Sequence, residues 1–158
     1  MKPMIVNLNT REWLVPTVVD WCHGEFASPS TPRDSVDAAV RENAGEKPYP
    51  FCLVAIVPGN DGAPETPVGC VHGVESELDE RPDLEPFIAA LYVHPAHRGL
   101  GIGNLLLAAA ERQCAIAGFD AAYLCAWSRP EWYQRRGWRV IDPNAGARRT
   151  PLMTKPVG

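Results

Sequence analysis

Twelve residues constrain this chain more than any others: Val93-His94-Pro95-Ala96-His97-Arg98-Gly99-Leu100-Gly101-Ile102-Gly103-Asn104. The apolar run Phe87 to Val93 comes before them and reads as a buried strand, with Pro86 placed to start it rather than interrupt it. After them, Ile102 to Ala117 reads as an amphipathic helix. Ile102, Leu105, Leu106, Ala109 and Ala110 fall on one stripe, Glu111, Arg112 and Gln113 face away, and Gly118 stops it. Alternate glycines let a backbone approach a ligand closely with its N–H groups turned outward. At a helix start the first amides are unpaired and the dipole favours an anion. A phosphate suits such a turn, although the same glycines would equally serve to pack helix against sheet.

The common nucleotide fingerprints fail. A dinucleotide loop needs G-x-G-x-x-G, but counting from Gly99 the third glycine is replaced by Asn104, and counting from Gly101 by Leu106. The Gly-Lys-Ser/Thr of a P-loop is also absent.

The remaining pattern divides the chain into alternating elements without repeats or a linker. Met4 to Leu8 predicts an opening strand. Asn9-Thr10-Arg11-Glu12 predicts a capping box before a helix through Trp13 to Cys22, with Pro16 pushing the regular helix to start there. Thr31-Pro32-Arg33-Asp34 predicts an N-cap and a proline at the first position of a second helix ending near Gly45. Strands are predicted at Phe51–Val57, Val68–Val74, Phe87–Val93, Ala121–Ala126, Trp138–Ile141 and Leu152–Thr154, with a short helix at Pro130–Arg136. The expected fold class is α/β (α+β in some schemes): one domain over residues 1–158, with a mixed, mostly antiparallel sheet and helices on both faces.

At 158 residues and net charge −4, without a basic run, the chain lacks the footprint of a nucleic-acid binder. It has no apolar signal core and no stretch of the roughly 18 apolar residues a membrane helix needs. The expectation is a cytoplasmic protein, monomer or homodimer, with no nucleic-acid or membrane partner. Cys22, Cys52, Cys70, Cys114 and Cys125 are odd in number and form no C-x-x-C pair, so they read as buried reduced thiols. The histidines show no metal-ligand spacing, and no metal site is predicted.

Arg98, Gly101 and Gly103 match in register the Gln/Arg-x-x-Gly-x-Gly/Ala loop of the GNAT acetyltransferases. Downstream, Trp132-Tyr133-Gln134-Arg135-Arg136-Gly137-Trp138 is similar to that family's second motif, aromatic-Tyr-x-x-x-Gly-aromatic. The chain thus resembles a GNAT N-acetyltransferase over Leu84 to Ile141. The resemblance implies a GNAT-like acyl-CoA N-acyltransferase fold with acetyl-CoA as co-substrate, and direct attack by a primary amine in a ternary complex. It implies that the amides of Gly99, Leu100, Gly101, Ile102, Gly103 and Asn104, together with Arg98, hold the pyrophosphate. The pantetheine arm would pair with the backbone of Leu91, Tyr92 and Val93. Trp127 and Pro130 replace an asparagine and an alanine that the family often carries, which makes Ser128 the substitute contact.

The same resemblance gives Tyr133 the role of general acid toward the departing thiolate. A phenol of ordinary pKa near 10 is protonated at neutral pH and fits that task. For the base, Glu85 precedes the glycine-loop strand on the face expected from alternation, with Glu75 and His72 as alternatives. Glu75, Glu77, Asp79, Glu80, Asp83 and Glu85 crowd one connection against Arg81 alone, which favours a cationic acceptor. A non-catalytic acyl-CoA sensor would keep the loop without needing Tyr133 or a base.

Overall fold

The structure, a computed structural model, describes residues 2–158. The strands are β1 (Met4–Asn7), β2 (Phe51–Val57), β3 (Thr66–Val74), β4 (Phe87–Val93), β5 (Ala121–Cys125), β6 (Arg139–Ala145) and β7 (Thr150–Pro156). The helices are α1 (Val15–Glu25), α2 (Arg33–Asn43), α3 (Ile102–Ile116) and α4 (Pro130–Gln134). The strands form one mixed sheet in the order β1-β2-β3-β4-β5-β7-β6. All neighbours are antiparallel except β4 and β5.

β2 explains the layering. Its apolar run is continuous because both faces are covered. Phe51, Leu53 and Ala55 join the core beneath α3, whereas Cys52, Val54 and Ile56 pack with Val15, Val18 and Val19 of α1. α3 buries Ile102, Leu106, Leu107, Ala109, Ala110 and Cys114. The stripe expected from the sequence is therefore rotated slightly: Leu105 is 38% exposed and Leu107 takes the inward place. At the rim of α3, Glu111 accepts from Lys155 Nζ at 2.6 Å and from the Trp138 indole at 3.2 Å, tying the helix to β7 and to the start of β6.

Two predicted caps do not form. Asn7, not Asn9, caps the short 3-10 turn at Leu8–Thr10, and a second 3-10 turn, Glu12–Leu14, leads into α1 with Pro16 in its first turn. Before α2, Pro32 itself holds the cap position. Thr31 instead bonds the Ser28 hydroxyl at 2.8 Å, and its carbonyl meets His23 Nε2 at 2.9 Å. These residues close the α1–α2 connection on itself. β6 and β7 run longer than their apolar cores predict, since polar residues such as Asp142, Asn144 and Lys155 extend the two strands.

Gly73 of β3 faces Phe51, which is wholly buried, and a Cβ there would overlap the Phe51 ring. Overpacking a core in this way costs about 1–3 kcal/mol. Gly73→Ala should therefore lower the urea midpoint without changing the denaturant slope. An unchanged midpoint would show that the ring moves aside freely.

Candidate functional site

β4 leaves regular geometry at one point. Ala90 adopts φ +51°, and the register with β3 jumps between Cys70↔Tyr92 and His72↔Ala89, which makes a bulge. On its other side β4 pairs with β5 only at Phe87↔Tyr123, supported by Tyr123 N donating to the Pro86 carbonyl at 3.0 Å. The two strands diverge beyond that point. The β4 edge from Ile88 to Val93 is left facing a gap, its backbone groups offered to whatever fills the gap.

The glycine turn lies at the wide end of this gap. Gly99 and Gly101 have φ +80° and +82°, a conformation that side chains disfavour, and the space beyond each is open. Gly101 is the N-cap of α3 and makes no side-chain capping bond, so the first amides of α3 remain available. Arg98 folds back over the Tyr92 ring, and its Nε donates to the Val93 carbonyl at 2.9 Å. Arg136 closes the opposite wall. Its guanidinium lies 3.9 Å from the Trp132 ring centre and donates to Asn104 Oδ1 at 2.9 Å.

A trough of about 620 Å³ runs along this wall. Leu91, Tyr92, Val93, Arg98, Gly99, Gly101, Ile102, Gly103, Asn104 and Ser128 all line it. Leu100 does not; its side chain is 69% exposed and points away from the trough. His97, Arg129, Trp132 and Arg136 line it as well, although the sequence motif marks no role for them. With the α3 dipole, Arg98, Arg129 and Arg136 outweigh Glu25 and give the trough a positive wall.

A second cavity of about 570 Å³ opens between α1, α2 and the sheet. Glu42 of α2 and Glu77 of the acidic connection line it, together with apolar residues such as Val36, Val40 and Trp127. Glu77 reaches solvent but is hemmed in by protein, which raises its carboxyl pKa, while nearby Arg148 pulls the other way. Arg148 also stacks 4.0 Å from the Trp127 ring, 51% exposed at the position where the motif led us to expect an asparagine. Phe26, Leu91, Ser128 and Tyr133 line both cavities, so the two meet there. Tyr133 packs edge-on against Trp132, and burial raises its phenol pKa.

The candidate bases separate. Glu85 lines neither cavity; its Oε2 accepts from the Tyr49 hydroxyl at 2.8 Å on another part of the surface. His72 lines the second cavity at 3% exposure, and burial pushes its pKa down to about 4 against a weaker upward pull from the Ala90 backbone. Glu75 lines neither cavity. Of the acidic connection, Arg81 pairs with Asp83 at 3.0 Å and Glu80 accepts from Gly146 N at 2.6 Å, so part of that charge serves to hold the loop. Trp21 stacks on Tyr92 with ring centres 5.2 Å apart.

A bulged strand, a splayed neighbour and a glycine turn at a helix start together form a cradle for an extended, phosphate-bearing ligand. The family model described as "Acetyltransferase (GNAT) domain" matches residues 51–140, more than half of the chain, and the protein belongs to the GNAT acetyltransferase family. No curated protein matches it in sequence. Among solved structures it is similar to Ard1 from Thermoplasma volcanium, with TM-score 0.70 and 17% identity over 100% of this chain and 99% of that one. An aminoglycoside 6'-N-acetyltransferase complexed with coenzyme A gives TM-score 0.68 at 17% identity, covering 98% and 97%. The N-acetylglutamate synthase from Neisseria gonorrhoeae, complexed with coenzyme A and N-acetyl-glutamate, gives 0.66 at 15% identity. It covers 100% of this chain, which spans only 36% of that one. At these identities the likeness is one of fold.

Proposed function

We propose that the chain, as one domain, transfers an acetyl group from acetyl-CoA to a primary amine, favouring a cationic acceptor. The observation that carries this reading is the meeting of the two cavities at Leu91, Ser128 and Tyr133. A positively walled trough for the pyrophosphate and an acid-lined cavity for the amine converge on one phenol. The coenzyme A bound to the similar aminoglycoside acetyltransferase supports the trough assignment.

In this reading the amides at the start of α3 and the nearby arginines bind the phosphates, and the open β4 edge receives the pantetheine arm. The bulge at Ala90 turns β4 backbone toward the thioester, where an N–H can stabilise the developing oxyanion. Tyr133 protonates the leaving thiolate. Its raised pKa keeps it protonated throughout the neutral range. Glu77 takes the amine proton, directly or through water, because it lies in the acceptor cavity and Glu85 does not. Glu42 faces the same cavity and adds attraction for an ammonium before it loses that proton. A sensor would need the trough alone; the convergence on Tyr133 favours the enzyme.

Four outcomes test the assignment. Gly101→Glu should abolish acetyl-CoA binding in isothermal titration while far-UV circular dichroism is preserved, since the new carboxylate would project into the trough; a normal isotherm would move the pyrophosphate elsewhere. Tyr133→Phe should lower kcat by about 10²–10⁴-fold with acetyl-CoA affinity intact. The wild-type alkaline limb should lie above the range of an ordinary tyrosine, and a loss below about threefold with chemistry rate-limiting would remove Tyr133 from the acid role. Glu77 must be ionised to act as a base. The acid limb of kcat/KM should therefore lie above the ordinary carboxylate pKa and vanish in Glu77→Gln. Glu42→Gln should instead raise KM for cationic acceptors, less so as salt is added. Equal ratios of cationic to neutral turnover in that variant and wild type would remove the charge preference.

A further inference from the structure

Under the bulge lies a group of side chains that acetyl transfer leaves unused. Cys22 from α1 meets Cys70 and His72 from β3, the latter two on one face of their strand by alternation. Their donor atoms all lie within 4.8 Å of one another, the one such group among the described residues. All three are buried, with exposures of 8%, 0% and 3%. Thiols alone would be ordinary core filling. His72 would not: both of its ring nitrogens are shut away from solvent and neither makes a hydrogen bond of good geometry, the Ala90 backbone alone lying near enough to pull on the ring. A buried imidazole left this way is costly unless something else binds it.

We propose that Cys22, Cys70 and His72 form a site for one thiophilic divalent cation of the zinc class, set in the floor of the acceptor cavity. Two sulfurs and an imidazole exclude the hard cations, which take oxygen. A tetrahedral zinc ion, with Zn–S about 2.3 Å, holds its sulfurs about 3.8 Å apart, so the group needs only a modest contraction. Each cysteine loses its S–H proton to solvent as its S–metal bond forms, and His72 binds as the neutral imidazole. Two thiolates cancel the charge of a divalent ion, so the complex is neutral within the apolar layer of Val18, Val19 and Val54. A monovalent ion would leave a net negative charge there. Cys22 and His72 both line the cavity, so the fourth position opens toward it for water or an amine. The ligands come from residues 22, 70 and 72, a spacing with no local motif, which is why the sequence shows no metal signature.

The test is titration of the full chain with zinc sulfate under a non-thiol reductant, against a chromogenic chelator. One ion per chain and release of two protons are expected. Cobalt(II) in its place should give a near-ultraviolet thiolate-to-metal band and the intense visible bands of a tetrahedral site. Cys70→Ser and His72→Gln should each weaken uptake by about tenfold or more, while Cys114→Ser, on α3 in the opposite layer, should bind as wild type. Absence of the thiolate band, or undiminished uptake by Cys70→Ser, overturns the proposal; the half-buried His94–His97 pair would give that second result. Where a variant loses its melting transition, the wild-type proton count and cobalt spectrum decide the question alone.

Discussion

The pairing of Phe87 with Tyr123 is the joint on which the rest of the molecule depends. It joins a half-sheet of β1 to β4 to a half-sheet of β5 to β7. Because it is so short, the strands part immediately beyond it. Phe87 is fully buried, with its ring 6.0 Å from that of Tyr123, so apolar packing holds the joint where backbone bonds are few. A longer ladder would close the gap and remove the site. No β4–β5 pairing at all would leave the sheet divided. The bulge at Ala90 acts in the same direction, since it adds local twist to β4 where the neighbour departs.

α3 stabilises this opened sheet from one side. It packs across β2, β3 and β4, and the Glu111–Lys155–Trp138 contacts carry the attachment to β6 and β7 beyond the gap. The helix therefore bridges the two half-sheets while its N-terminus faces the trough. The element that keeps the opening rigid is also the one whose unpaired first amides face it.

Most of the architecture was legible in the sequence because its signals are local. β2 and β4 have the bounds their apolar runs predict, and the α3 start falls at Ile102, as the glycine turn requires. The caps at Asn9 and Thr31 were misread, since a capping residue is defined by backbone geometry that neighbouring turns can take over. In the candidate site, the motif residues other than Leu100 do line the trough, but His97, Arg129, Trp132 and Arg136 line it with no role marked for them in the sequence. The acceptor side did not. Glu42, Glu77, Trp127 and Arg148 come together from segments far apart in sequence, and no spacing rule links them. Glu85 illustrates the limit: strand alternation does not carry past the start of β4 at Phe87, and Tyr49 holds the carboxylate outside both cavities.

The Trp127–Arg148 stack has a bearing on how such a protein can change. Arg148 belongs to the tight turn between β6 and β7, which contains Gly146 at φ +71° and Arg149 at φ +52° and is anchored by Glu80. This turn contributes nothing to the trough and almost nothing to the main core. Insertions and replacements there would reach the second cavity through Trp127, which lines it, while the trough stayed as it is. A surface hairpin could thus alter that cavity through one aromatic stack, leaving the sheet behind it untouched.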